Sequence, residues 1–225
     1  MPELPERVRA YVERAVPRDA ATPRAVRITQ RGEMWTKPGA SPRRFKAEQR
    51  FAVDAVAFSW QARFRIFGPL ALKVVDEYAA GEGSLRVRLL GRTLQHEHDR
   101  TVAIGEAYRY LAELPWVPYA MTANAELEWR GLDASSVEVS TQVGDECVAL
   151  TVEFDEGGDV ARIDAPSRPR LVEGRVETAA WGGEFADYDV LGGMRMPTRA
   201  EVWWELPEGR FVYWRGRVTN ARPAT

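Results

Sequence analysis

Apolar residues recur at every second position over most of this chain, and that period commits it to β-sheet. Val26 and Ile28 flank Arg27, and Phe45, Ala47, Gln49, Phe51 and Val53 form the next run. Phe58, Trp60, Ala62, Phe64 and Ile66 alternate with Ser59, Gln61, Arg63 and Arg65. Leu70, Leu72, Val74, Asp76 and Tyr78 share one face, and Leu85, Val87 and Leu89 follow a turn at Gly81 and Gly83. Further on come Leu127 with Trp129, Val137 with Val139, and Val148 through Phe154. Val160 and Ile163 then precede a final pair, Ala200–Trp204 and Phe211–Arg215, joined through Pro207-Glu208-Gly209. Short polar turns separate these runs and no long helices alternate with them. The pattern predicts about ten or eleven antiparallel strands rather than a doubly wound parallel sheet.

Two segments break the period. Leu4, Val8, Tyr11, Val12 and Ala15 make a helical stripe ended by Pro17, which predicts an N-terminal helix within residues 1–17. Ile104, Ala107, Tyr108 and Leu111 give an apolar side to a second helix near 102–113, closed by Pro115. With no repeat, linker or shift in composition, residues 1–225 read as a single α+β, mainly β domain, its sheet spanning about 24–220.

Lys and Arg total 31 against 33 Asp and Glu, a net charge of −2. That balance argues against nucleic acid as a partner, because such domains carry a basic excess. The first fifty residues hold twelve basic and six acidic side chains, read here as a solvated outer face. Cys147 is the only cysteine, so neither an intramolecular disulfide nor a cysteine zinc site is expected. The N-terminal residues lack the apolar run of a signal peptide, and no stretch is long enough to span a bilayer. The expectation is a cytoplasmic protein without a transmembrane segment.

Asp76 is the first candidate for chemistry, since it falls on the inward face with Leu72, Val74 and Tyr78. A carboxylate there is either a general acid or base with a burial-shifted pKa, or half of an ion pair with Arg109 or Arg63. On the second helix Glu106, Arg109 and Glu113 are spaced to meet on one face, with Tyr110 joining them. That face either supplies carboxylates to a pocket or is surface salt bridging. His96 and His98 project together from one strand face, but nothing in the sequence completes a metal site, so no metal is expected. The glycine pairs at 81/83 and 192/193 read as turns, not as a phosphate cradle, and no cofactor is implied. Phe58, Trp60, Phe64, Tyr78, Trp116, Trp129, Trp181 and Trp204 exceed what one sheet face needs for packing. They either line a cavity or fill the interior.

Several phrases carry a resemblance: VDEYAAGEGSL at 75–85, GEAYRYLAELPWVP at 105–118, Trp129 before Asp133, Arg168, Trp181, and GGMRMP at 192–197. Together they resemble a bacterial domain-of-unknown-function family classed with the LolA-like lipoprotein-carrier fold. The resemblance implies a strongly curved antiparallel sheet, an incomplete barrel, with helices plugging its concave side. It also implies a concavity used for acyl chains or other hydrophobic ligands, and turns Arg109 and Glu113 inward. This chain departs from the exported carriers in lacking a signal peptide and lipobox.

Three functions therefore stand open. The first is binding of a hydrophobic small molecule or lipid, with Trp60, Arg63, Arg109, Trp116, Trp129, Trp181 and Trp204 as ligand contacts. The second is an enzyme in the same cavity, a hydrolase, isomerase or cyclase using Asp76 or Glu113 as acid or base beside Tyr78. The third is a partner-binding protein with a solid core, and the free edges of an unclosed sheet leave room for a homodimer.

Overall fold

The computed structural model describes residues 4–67, 70–172 and 174–224. The chain begins with helix α1 (Glu6–Ala15), then strands β1 (Ala25–Met34), β2 (Arg43–Ala52), β3 (Phe58–Phe67), β4 (Leu70–Ala79), β5 (Glu82–Leu89) and β6 (Arg92–Glu97). Helix α2 (Arg100–Ala112), a 3-10 turn (Leu114–Trp116) and helix α3 (Ala120–Ala123) follow. The second run of strands is β7 (Glu128–Gly131), β8 (Ser136–Val143), β9 (Glu146–Phe154), β10 (Val160–Val172), β11 (Arg175–Leu191), β12 (Met194–Leu206) and β13 (Gly209–Ala224).

All thirteen described strands form one antiparallel sheet in the order β6-β5-β4-β3-β2-β1-β13-β12-β11-β10-β9-β8-β7. Two meanders meet where β1 pairs with β13, Val26 opposite Pro223 and Met34 opposite Trp214. The sheet curls into a half-barrel, and α2 lies across its mouth. Strands β4 and β5 on one wing and β8, β9 and β10 on the other all pack against that single helix. Gly83 makes the approach close enough, since a Cβ there would stand 2.7 Å from the Ala103 Cα. Asp99 starts α2, its Oδ1 accepting the Val102 N–H at 3.0 Å. Helix α1 buries Val8, Tyr11 and Ala15 and packs against α3, β8 and β12.

The mainly β half-barrel with an N-terminal helix and a plugging helix matches the expectation from sequence, with the strand number corrected to thirteen. The two strands not anticipated are β6 and β11. In β11 the alternation is interrupted by Gly182 and Gly183, and both glycines are required by crowding. A Cβ on Gly182 would meet the Ile163 carbonyl oxygen at 2.9 Å, and one on Gly183 the Glu201 carbonyl oxygen at 3.0 Å. The loss of side chains that lets neighbouring strands crowd in also erases the period-two signal. Of the predicted N-terminal helix, residues 1–3 lie outside the described residues.

Candidate functional site

One row of directly opposed residues crosses the inner face of the β4–β2 wing. Asp76 faces Trp60, and Trp60 faces Gln49. Strand alternation puts all three inside, and each is at least nine-tenths buried. Over this row lies the polar face of α2, where Glu106, Arg109 and Glu113 meet because residues three and four apart stack on one side of a helix.

Arg109 is the centre of the cluster. Its Nη1 donates to Asp76 Oδ2 at 2.6 Å, and its Nε donates to Glu113 Oε1 at 3.0 Å. Glu106 Oε2 stands 3.9 Å from Nη1, an ionic contact rather than a hydrogen bond. The guanidinium also covers the Trp60 ring at 4.8 Å and the Phe58 ring at 5.0 Å. Gln49 Nε2 donates to Glu113 Oε2, and Trp60 Nε1 donates to Gln30 Oε1 at 2.9 Å. Asp76 Oδ1, Glu106 Oε2 and Gln49 Oε1 have no hydrogen-bond partner among the described residues.

A cavity of about 190 Å³ separates this cluster from the opposite wall. Trp60, Asp76, Glu106, Arg109 and Glu113 line one side, and Trp116, Trp181, Phe185, Val202 and Trp214 much of the other. Their polar edges are tied down: Trp116 Nε1 donates to the Pro197 carbonyl at 3.0 Å and Trp181 Nε1 to Tyr213 Oη at 3.1 Å. Arg168 also lines the cavity, donating from Nη2 to the Gly105 carbonyl at 2.7 Å while lying 4.2 Å over Trp181.

Crowding of carboxylates in a dry place governs their protonation. Burial pushes Glu106 up to about 8, with Asp76 adding to the rise and Arg109 and Arg168 opposing it. Burial also raises Asp76, against the pull of Arg109. Burial alone would lower Arg109, but Glu113, Asp76 and Glu106 together hold it above its ordinary value, so it stays protonated. The cluster thus joins one fixed cation to the carboxyl groups of Asp76 and Glu113 and keeps Glu106 protonated up to about pH 8.

The structure gathers six of the predicted site residues at this cavity: Trp60, Asp76, Arg109, Glu113, Trp116 and Trp181. Four others stand elsewhere. Arg63 is exposed, on the opposite face to Ala62 and Phe64, and Arg109 is the partner that Asp76 has found. Tyr78 is buried but borders a separate surface groove with Phe58, Ser59 and Glu77. Trp129 sits on the edge strand β7 opposite Val139. Trp204 stands directly opposite Trp181 on the β11–β12 ladder, 6.4 Å from it, and stacks on Tyr213 at 6.2 Å, but does not line the cavity. Tyr110 turns from the polar face into the core, its hydroxyl donating to the Ala52 carbonyl at 3.1 Å. Of the two arrangements left open for the aromatic residues, the interior has a cavity at this point rather than being filled throughout.

From the sequence, Glu106 is one of the residues on the polar helix face but not a named site residue, and Arg168 enters only through the family resemblance. Glu106 carried a readable signal, the three-residue spacing to Arg109. Arg168 follows a register shift between Ala165 and Arg168 that alternation does not anticipate. His96, on the exposed strand β6, and His98, just past its end, stack on each other at 4.9 Å.

No described helix is long and apolar enough to cross a membrane. A solved structure, a LolA superfamily protein from Nitrosomonas europaea, aligns with a TM-score of 0.49 at 9% identity, over 97% of this chain and 92% of that one. No curated protein matches. The profile of a family of unknown function, DUF6544, matches residues 1–216, and the chain belongs to that family.

Proposed function

We propose that this protein binds a compact, largely apolar molecule in the cavity between α2 and the inner face of the half-barrel. One observation carries the reading: a cavity of about 190 Å³ has aromatic side chains on one side and buried, incompletely hydrogen-bonded carboxylates on the other. An apolar wall with a few convergent polar groups is the usual make-up of a small-molecule site. The volume is below the roughly 300–1,000 Å³ of sites for drug-sized ligands. It is similar to an apolar cavity of about 150 Å³ that holds benzene. The occupant is then a small molecule, or one end of a longer acyl chain.

Benzyl alcohol, a single ring with one hydroxyl, is a suitable probe. Trp60, Trp116, Trp181 and Trp214 border the cavity, so binding is expected to change tryptophan emission saturably. Ala200 also lines the cavity, and Ala200→Phe is expected to abolish the change by filling it. An emission unaltered by the probe, or altered equally in the filled variant, overturns the reading.

A second reading is favoured by the unequal pairing of two neighbours. Glu106, pushed up to about 8, stands 3.9 Å from Arg109, while Asp76 accepts a hydrogen bond from it at 2.6 Å, so the two carboxyl groups are differently suited to give and to take a proton. In that reading Glu106 donates a proton to the bound molecule and Asp76 accepts one. Turnover that disappears in Asp76→Asn while affinity persists distinguishes it from simple binding.

A further inference from the structure

With every group ionised, the charges around the cavity do not cancel. Of the described residues lining it, Asp76, Glu106, Glu113 and Glu201 are acidic, and Arg109 and Arg168 are basic. Glu201 is drawn away, its Oε2 accepting from Arg215 Nε at 2.9 Å. Arg109 is shared by Asp76 and Glu113, and Arg168 lies on Trp181 with its Nη2 on the Gly105 carbonyl. One carboxylate is therefore left over, and the contacts identify it as Glu106, held 3.9 Å from Arg109.

Two carboxylate oxygens beside the cavity lack hydrogen-bond partners among the described residues, Asp76 Oδ1 and Glu106 Oε2. Asp76 is only 8% exposed, so bulk water does not serve it freely. Ionised carboxylates only accept hydrogen bonds, and an ammonium only donates them. Across the cavity Trp116 and Trp214 add aromatic side chains, whose electron-rich rings attract a cation.

We propose that the cavity selects a compact monocationic amine, its ammonium seated between Asp76 Oδ1 and Glu106 Oε2 and its apolar body against Trp116 and Trp214. This rests on the cavity being a binding site and names the class of molecule it takes. A neutral alcohol leaves Glu106 holding its proton, and an organic acid adds a fourth carboxyl group to the cluster. The amine takes the place of that proton as the counter-charge of Glu106.

Binding of such a ligand is linked to a proton. The charged groups facing Glu106 are Asp76 from β4, Arg109 and Glu113 from its own helix, and Arg168 from β10. With Glu106 protonated up to about pH 8, an incoming ammonium displaces that proton. Affinity for the amine then rises about tenfold per pH unit on approaching pH 8 from below and levels off above it.

The test is calorimetric titration of the whole protein with benzylamine, benzyl alcohol and benzoate, whose carbon skeletons are similar and whose charges differ. Near pH 7, benzylamine is expected to bind at least about tenfold more tightly than benzyl alcohol, and benzoate more weakly than either. Repeating the benzylamine titration in buffers of different ionisation enthalpy is expected to show close to one proton released per amine. Glu106→Gln is expected to remove the proton release and the pH dependence of benzylamine affinity. Because the wild-type pH profile needs no variant, the proposal stands or falls even if that substitution impairs folding. Equal affinity for amine and alcohol, tighter benzoate, or amine binding without proton release overturns this inference and leaves the binding site intact. If none of the three probes binds, the site itself is refuted along with the inference.

Discussion

Arg109 Nη1 donates to Asp76 Oδ2 across 2.6 Å, fastening the polar face of α2 to the inner face of β4. Both side chains are mostly buried, 18% and 11% exposed, and the same guanidinium also holds Glu113. The contact closes one wing of the half-barrel and fixes one boundary of the cavity.

Arg109→Met keeps much of the stem and removes the charge, leaving the carboxylates of Asp76 and Glu113 buried without their cation. Breaking one side of such a pair costs about 3–5 kcal/mol, and urea unfolding at neutral pH is expected to report a loss of that size. Acidification is expected to recover part of it, because a buried carboxylate without a partner takes up a proton.

Stability should also depend on pH through Glu106. Its pKa is raised from an ordinary 4.5 to about 8, so between those values the folded state holds a proton that the unfolded state has lost. The stability Glu106 contributes is fully present below about pH 4.5, declines as pH rises towards about 8, and is constant above. The slope for one proton is about 1.4 kcal/mol per pH unit. Comparing unfolding midpoints of wild type and Glu106→Gln across this range checks the sign, since the glutamine removes this component of the slope.

The seat of α2 on β5 depends on Gly83. A methyl group there would stand 2.7 Å from the Ala103 Cα and 2.9 Å from its amide nitrogen, both backbone atoms. Gly83→Ala is expected to cost about 1–3 kcal/mol by pushing the helix outward. Gly81→Ala, where a Cβ meets nothing within 4 Å but φ is +79°, is expected to cost less, through backbone strain alone. Thermal unfolding of the two variants side by side separates crowding from strain.

The sheet was legible wherever one face is wet and the other dry, as in β2, where exposed and buried residues alternate from Arg44 to Phe51. It was not legible in β11, where backbone crowding demands glycine. Parity also settles one error: since Ala62 and Phe64 point inward, Arg63 between them points out. Tyr78 and Asp76 share parity, yet only Asp76 reaches the cavity, because parity does not say where along a strand a cavity lies. The meeting of β4, β10 and β12 around the cavity arises from curvature, a property of the whole sheet that no local window of sequence contains. Arg168 and Phe185 are separated from Asp76 by about a hundred residues in the chain and brought to it only by that curl.

Native mass spectrometry of the protein purified from its own cells tests the central claim most directly. The account predicts a non-covalent adduct of low mass on the wild-type protein, one per chain, that is lost on denaturation and absent from the cavity-filled Ala200→Phe variant. A wild-type spectrum showing the bare chain only, or an adduct that persists when the cavity is filled, would contradict it.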